Sequence, residues 1–162
     1  MDKVKLTRKE TVAIWDFLSK MNLRGATSEF ARKVIAAQAA LHTVAKQVMD
    51  EDNVVRSRYL DSEEAKAKCR EFSQAYENMM SSRVGGTGSP DNAAVVTFKE
   101  AYEGVQPFND AIEECLQGLE KDFSFCPDID RFTLSELVTH YSQLGKDFSI
   151  QSFNPIIKLI AL

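Results

Sequence analysis

The fold class follows from residues 27–49, TSEFARKVIAAQAALHTVAKQVM. Apolar side chains recur along this stretch at alternating spacings of four and three residues: Phe30, Val34, Ala37, Leu41, Val44 and Val48. Such spacing places all of them on one face of an α-helix. The stretch is therefore predicted to be a long amphipathic helix, which Asp50-Glu51-Asp52-Asn53 is expected to break. Residues 54–60 either extend it or link it to the next element.

A second helix of the same kind is predicted at residues 62–80. The capping signal Asp61-Ser62-Glu63-Glu64 precedes it, and its apolar positions show the same alternation: Ala65, Cys69, Phe72, Tyr76 and Met79. Two apolar stripes joined by a short polar stretch predict an antiparallel helical hairpin. The facing stripes are expected to bury Phe30, Val34, Leu41, Phe72 and Tyr76. The chain is thus predicted to be mainly α, a helical bundle built on this long hairpin.

Capping boxes mark helices on either side of this hairpin. Thr7-Arg8-Lys9-Glu10 begins a first helix that ends near Gly25, and Thr133-Leu134-Ser135-Glu136 begins a last helix that ends at Gly145. In such a box the Thr hydroxyl accepts the N–H of the Glu, whose carboxylate accepts the N–H of the Thr. Glycine ends a helix readily because it adopts the left-handed conformation without strain.

The middle of the chain is less regular. Residues 94–96 read as a short strand with residues 122–125 as partner, which would add a small two-stranded β element. Thr97-Phe98-Lys99-Glu100 reads as a capping box, and Pro107 in the following helix indicates either a kink or a junction of two helices. Residues 81–92, SSRVGGTGSPDN, predict a flexible loop. Residues 1–162 as a whole are predicted to form a single helical domain, in which residues 156–160 are a strand or a docked helical turn.

The amino-acid composition indicates which class of protein the chain belongs to. Of the 162 residues, 44% are apolar and 27% charged, which is typical of a globular domain. No apolar run approaches the roughly 20 residues of a membrane span, and the charged start MDKVKLTRKE lacks the apolar region of a secretory signal. The three cysteines lack the close pairing of zinc or redox sites. We therefore expect a soluble, cytoplasmic protein with no membrane partner, no metal and no cofactor.

Charge is unevenly distributed along the chain. Residues 1–48 contain nine Lys and Arg against four acids, a net charge of +5, whereas the remainder contains eleven against twenty, a net charge of −9. Arg24, Arg32 and Lys33 lie around the Gly25 turn and are the candidate partner-binding residues, because such a charge imbalance can steer a partner. The alternative is that they only solvate the end of a helix.

Two pairs of acidic residues are the part of the sequence most similar to a catalytic motif. Magnesium-dependent enzymes that cleave nucleoside triphosphates hold the metal with acid pairs on facing helices, and here Glu100 with Glu103 and Asp110 with Glu113 are each one turn apart. The two pairs lie on one stretch of chain, so they cannot face each other unless Pro107 reverses its direction. His42 and His140 have no motif around them, and GGTG in the loop lacks the lysine of a phosphate-binding loop. The sequence therefore predicts that the protein is not an enzyme.

Two segments resemble a known family. The first is Leu23-Arg24-Gly25-Ala26-Thr27-Ser28, followed by Arg32-Lys33. The second is Val95-Val96-Thr97-Phe98 through Tyr102, with Leu119-Glu120-Lys121-Asp122-Phe123. Both are similar to a pattern in small proteins of tailed phages of Gram-positive bacteria. That family is grouped as domain of unknown function number 1617. The resemblance spans roughly residues 5–140 and implies a phage or prophage origin, with no catalytic residue to transfer.

These observations leave four hypotheses. The first is a non-enzymatic phage or prophage accessory protein that binds a host or viral protein, with inhibition of a host defence system as one form. The second is a structural or assembly component of the phage particle. The third is a weak nucleic-acid binder that acts through the basic N-terminal third. The fourth is a magnesium-dependent nucleotide hydrolase. The oligomeric state is left open.

Overall fold

The structure is a computed structural model that describes residues 2–83 and 88–161. Its elements in chain order are β1 (Asp2–Lys3), α1 (Arg8–Lys20), α2 (Ser28–Leu60), α3 (Glu63–Ser81), α4 (Asn92–Asp122), β2 (Asp128–Ile129), β3 (Phe132–Thr133), α5 (Leu134–Gln143), a 3₁₀ segment (Ile150–Leu159) and β4 (Ile160–Ala161). The prediction of a mainly α fold is confirmed. Among the described residues, no helix combines the length and apolarity needed to span a membrane.

Helix starts follow the capping signals. The Thr7 hydroxyl accepts the Glu10 backbone N–H at 3.1 Å, and a Glu10 carboxylate oxygen accepts the Thr7 N–H at 2.9 Å. Thr133 and Glu136 make the same reciprocal pair at the start of α5, and Ser62 caps α3. Gly25 and Gly145 have φ angles of +75° and +62°, in the left-handed region expected of glycine after a helix.

The helix α2 is longer than the sequence predicts. It continues without interruption from Ser28 to Leu60, so residues 54–60 extend it and the acidic run at 50–53 does not break it. Asp and Asn are weak helix formers, but a weak propensity alone does not end a helix. None of these residues is a proline, so each keeps the backbone N–H that the helix needs. The prediction that the helix breaks after residue 49 is therefore wrong.

The chain divides into two compact units. The first combines residues up to 51 with residues from 122 onward, and the second comprises residues 52–121. Two such units are compatible with one domain as well as with two, so the single domain stays a prediction.

The first unit has a core built from distant parts of the chain. Apolar residues of α1, the first half of α2, α5, the 3₁₀ segment and both ends of the chain share one cluster; its largest fully buried side chains include Leu6, Ile14, Leu18, Leu41, Phe132, Leu137, Phe153, Ile156 and Leu159. Two small sheets lie in this unit: β1 pairs antiparallel with β2, and β3 pairs parallel with β4. The C-terminal tail thus docks as a 3₁₀ segment followed by a strand.

The second unit contains the end of α2, followed by α3 and α4. The ring centroids of Tyr76 and Phe98 are 6.1 Å apart, and those of Phe72 and Tyr102 are 6.2 Å apart. Since higher numbers on α3 meet lower numbers on α4, these two helices run antiparallel. The α3–α4 pair is a helical hairpin closed by the segment between residues 81 and 92.

The predicted pairing of the stripes on α2 and α3 is wrong. Phe30, Val34 and Leu41 are buried as expected, but in the core of the first unit. Phe72 makes its ring contacts with α4, and Tyr76 is 47% exposed rather than buried. A stripe marks which side of a helix is apolar but carries no information on which segment covers it.

Small two-stranded β elements are present, but not at the residues predicted to form one, and the helix start predicted at residue 97 is also wrong. Residues 94–96 lie inside α4, whose N-terminus is capped by the Asp91 carboxylate accepting the Ala94 N–H at 3.3 Å. The Thr97 hydroxyl donates to the Ala93 carbonyl within the helix. Phe125 bridges to Leu6 instead of to residues 95 and 96. A run of three small or β-branched residues is too short to separate strand from helix by its period.

Two further expectations concern α4 and the loop before it. The helix runs unbroken through Pro107, so the alternative of two helices is wrong. Of the predicted loop 81–92, Ser81 ends α3 and Asn92 begins α4, while residues 84–87 lie outside the described residues. The Ser82 hydroxyl accepts the Asp91 N–H at 2.9 Å, which ties the two described ends of the loop together. Loop flexibility stays a prediction.

The unequal burial of Phe132 and Phe72 predicts unequal losses of stability. Phe132 is fully buried, so Phe132→Ala should lower the free energy of unfolding by about 3–5 kcal/mol. Phe72 is only half-buried, so Phe72→Ala should cost about half as much. Urea unfolding followed by circular dichroism measures both, with exposed Val96→Ala as control. Equal losses for the two Phe variants would contradict the assignment of Phe72 to the hairpin surface.

Candidate functional site

The three basic residues predicted to bind a partner have different surroundings. Arg24 and Arg32 are exposed. Lys33 instead has its ammonium 3.0 and 3.2 Å from the two carboxylate oxygens of Glu136, and 5.2 Å from the ring centre of Phe132. Its side chain is only 20% exposed. Lys33 therefore joins α2 to α5 inside the first unit, and the assignment of these residues to a partner stays a prediction.

The Glu136 carboxylate serves both α5 and Lys33. It accepts the backbone N–H of Thr133 at 3.0 Å as part of the capping box, and it forms the ion pair with Lys33. Partial burial works to raise the pKa of this carboxyl, but the Thr133 N–H and the Lys33 ammonium outweigh it and leave the pKa below its ordinary value. The charged form is thus the one that the fold stabilises.

Arg8 is a buried cation that sequence reasoning places only among the basic residues of the N-terminal third. Its side chain is 7% exposed, forms an ion pair with Glu51 and donates to the Val48 carbonyl at 3.5 Å. Its guanidinium also lies 5.9 Å from the ring centre of Phe123. The hydrogen bond from Arg8 lowers the pKa of the Glu51 carboxyl below its usual range, with help from Gln47. Arg8 thereby links α1, α2 and the segment after α4.

The two histidines pack against aromatic rings. His140 is 3% exposed, stacks 4.8 Å from Phe30, and has Nε2 2.6 Å from the Asn22 carbonyl oxygen. Nε2 must be the donor in this hydrogen bond, because a carbonyl only accepts. His42 is exposed and lies 5.7 Å from the Trp15 ring. The interpretation of both as surface or packing residues agrees with these contacts.

The acid pairs do not face each other. Glu100, Glu103, Asp110 and Glu113 all lie on the exposed surface of the single helix α4, which does not reverse at Pro107. In the part of the chain that the structure describes, no group of three His, Cys, Asp or Glu side chains is close enough to hold a metal ion.

A group of partly exposed aromatic side chains lies on the α3–α4 hairpin. Phe72 and Tyr76 are one turn apart on α3, Phe98 and Tyr102 are one turn apart on α4, and their ring centroids lie 5.4–6.2 Å apart across the two helices. We call these four residues the aromatic row. Tyr76 and Tyr102 are 47% and 48% exposed, and Phe72 and Phe98 are half-buried. Met80, 37% exposed, extends the row one turn beyond Tyr76.

Two positions in the seam between α3 and α4 have small residues. Ala75 is 4% exposed, and a Cβ added at Gly104 would meet the Lys68 side chain at 3.2 Å. The four rings lie beside these positions, and each is exposed or half-buried because a two-helix hairpin covers only part of its surface.

The tyrosine hydroxyls of the row have no partner within the protein. Neither the Tyr76 nor the Tyr102 hydroxyl forms a hydrogen bond with another residue in the described ranges 2–83 and 88–161. Exposed tyrosines that offer both a ring and a free hydroxyl are typical of protein–protein interfaces. The row therefore has the composition of a docking surface.

The opposite flank of the hairpin is a polar groove. A cavity of about 620 Å³ is lined there by Lys68, Arg70, Glu71, Gln74, Ala75, Asn78, Thr97, Glu100 and Ala101. Its charges balance, and Lys68 already pairs with Glu71 at 3.3 Å. The charges of this groove cancel and it exposes no aromatic ring, so the aromatic row is the stronger candidate.

Of the four residues of the row, the sequence predicts that Phe72 and Tyr76 are buried against α2, and it makes no prediction on the burial of Phe98 and Tyr102. The exposure of the row depends on the pairing of α3 with α4, which the spacing of apolar residues does not indicate.

Comparisons with known proteins identify no relative of the chain. No family model matches the chain, and neither the curated proteins nor the solved structures include a significant match.

The surroundings of the three basic residues predict that they respond differently to charge reversal. Lys33→Glu places a carboxylate beside Glu136 and should lower the free energy of unfolding by about 2–4 kcal/mol. Arg24→Glu and Arg32→Glu change exposed charges and should stay within about 0.5 kcal/mol of the wild type. Thermal and urea unfolding of the three single variants measure this. A Lys33→Glu variant as stable as the other two would contradict the ion pair.

The lowered pKa values predict a loss of stability in acid. The Glu51 and Glu136 carboxyls have folded pKa values below the ordinary 4.5, so the unfolded chain binds protons first as the pH falls. The stability they contribute should be present above about pH 4.5 and lost as the pH falls through the lowered folded values. Urea unfolding between pH 7 and pH 3 measures the slope, which Glu136→Gln should reduce. An unchanged slope would mean that Glu136 titrates normally.

Proposed function

We propose that this chain is a non-enzymatic accessory protein of a phage or prophage that binds a host or viral protein through the aromatic row. The observation that carries this proposal is the exposure of Tyr76 and Tyr102 beside the half-buried rings of Phe72 and Phe98 on a two-helix hairpin. The similarity to the tailed-phage family supports the origin. Inhibition of a host defence system is one specific form of the activity.

The exposure of the row has a free-energy cost that a partner would remove. Aromatic side chains bury large apolar areas on binding, and burial stabilises by roughly 25 cal/mol per Å². Residues of this kind are the ones that dominate binding energy at interfaces. The cluster in the first unit, by contrast, buries Phe30, Phe132 and Phe153 within the chain itself.

The experiment is capture of a partner by the tagged full chain. The double variant Tyr76→Ser, Tyr102→Ser should lose a protein that the wild type captures from cells carrying the phage, because both ring contacts are removed. Ile150→Ser with Ile157→Ser is the matched control, since these side chains are 70% and 59% exposed in the first unit. Mass spectrometry identifies the captured protein, and circular dichroism checks that each variant is folded.

Two outcomes would contradict the proposal. If the control pair loses the same protein, or the double variant at the row retains it, the partner binds elsewhere. If the chain itself is a component of purified virions and its row binds other copies, the assembly hypothesis replaces the accessory one.

A further inference from the structure

We propose that the partner segment that docks on the aromatic row is basic, rich in Lys and Arg, so that it meets the rings and the acids of α4 together. This inference rests on the proposed function and names the chemistry of its partner. It is carried by the distribution of charge around the row.

The second unit holds the negative charge of the protein. Residues 52–121 contain eight Lys and Arg against thirteen Asp and Glu, a net charge of −5, whereas the remaining residues sum to +1. Between residues 100 and 120 there are six acids and no Lys, Arg or His. This run begins two residues before Tyr102 and follows α4 for more than five turns.

Acids flank the row on its own side of α4. Glu103 is adjacent to Tyr102, and Glu113 lies three turns further along the stripe that contains Tyr102. Both are exposed, and neither forms an ion pair with any residue in the described part of the chain. Lys99 is the one basic residue of α4 beside the row. On α3, Lys68 lies one turn before Phe72 and pairs with Glu71, and Glu77 is adjacent to Tyr76. The charged side chains next to the row are therefore more acidic than basic.

A basic segment fits both features. Lys and Arg side chains bind over the faces of Tyr and Phe rings, and their ammonium and guanidinium groups pair with neighbouring carboxylates. A second copy of this chain fits poorly, because symmetric pairing through the row would bring the acids of one α4 against those of the other. Charge complementarity therefore selects a basic partner over self-association.

The test uses two fluorescent helical peptides with the full-length protein. Both have the same leucine face; one bears Lys and Arg on its flanks, and the other bears Glu at the same positions. Anisotropy titrations should show that the basic peptide binds at least about tenfold more tightly than the acidic one, and that its affinity falls as salt is added.

Matched charge reversals locate the interaction. Glu103→Lys with Glu113→Lys should weaken binding of the basic peptide about tenfold, because these acids flank the row. Asp130→Lys with Asp147→Lys changes the net charge equally but at exposed positions of the first unit, and should weaken binding less than about threefold. Lys99→Glu should strengthen binding, whereas Tyr102→Ala should weaken it at least about tenfold. Circular dichroism confirms the fold of each variant.

The outcomes separate the two proposals. If both peptides bind equally and Tyr102→Ala weakens both, the row docks a partner through its rings alone, and the basic chemistry is wrong while the proposed function stands. If neither peptide binds, or Tyr102→Ala has no effect on binding, the row is not a docking surface and both proposals fail. If sedimentation shows a dimer of the chain that Tyr76→Ser with Tyr102→Ser dissociates, the occupant is a second copy and the basic partner is overturned.

Discussion

The structure depends on which segments cover the apolar stripe of α2. The first half of that stripe, from Phe30 to Leu41, lies in a core completed by both ends of the chain: Leu6 from the N-terminal segment, and Ile156 with Leu159 from the C-terminal tail. The contacts of the C-terminal tail with α2 join residues more than a hundred positions apart, so their loop-closure entropy is high and a large buried area must offset it. The helix α3 makes its ring contacts with α4 instead of with this stripe.

This division leaves the two units with unequal burial. Among the described residues, seventeen apolar side chains of the first unit are buried, including several phenylalanines and isoleucines, whereas those buried in the second unit are Val55, Ala65, Ala75, Val105 and Ile112. The second unit therefore buries less apolar area than the first. Its large rings lie at the surface of the α3–α4 hairpin, where Tyr76 and Tyr102 are 47% and 48% exposed.

Sequence reasoning succeeds where the interacting groups are close along the chain. Thr7 with Glu10, Thr133 with Glu136, and the left-handed glycines 25 and 145 each depend on neighbours within a few residues, and all are confirmed. It fails where distant segments compete for the same apolar face, as in the pairing of α2 with α3 and the strand at residues 94–96. The ion pair of Lys33 with Glu136, which lies 103 positions away, is likewise not visible in the sequence. The candidate site was missed for the same reason, since its rings were recognised as apolar while their exposure depends on which helix covers them.

Charge shows most clearly how the folded surface differs from the linear sequence. The N-terminal third has a net charge of +5, but the C-terminal residues that fold against it contribute acids such as Glu136, and the whole first unit has a net charge of only +1. Lys33 illustrates the change, because its ammonium pairs with Glu136 within the fold. In the second unit Lys66 and Lys68 pair with acids of α3, whereas Glu103 and Glu113 of α4 are exposed and form no ion pair within the described residues. The folded protein therefore has exposed acids close to exposed rings, although the linear sequence suggests a basic N-terminal site.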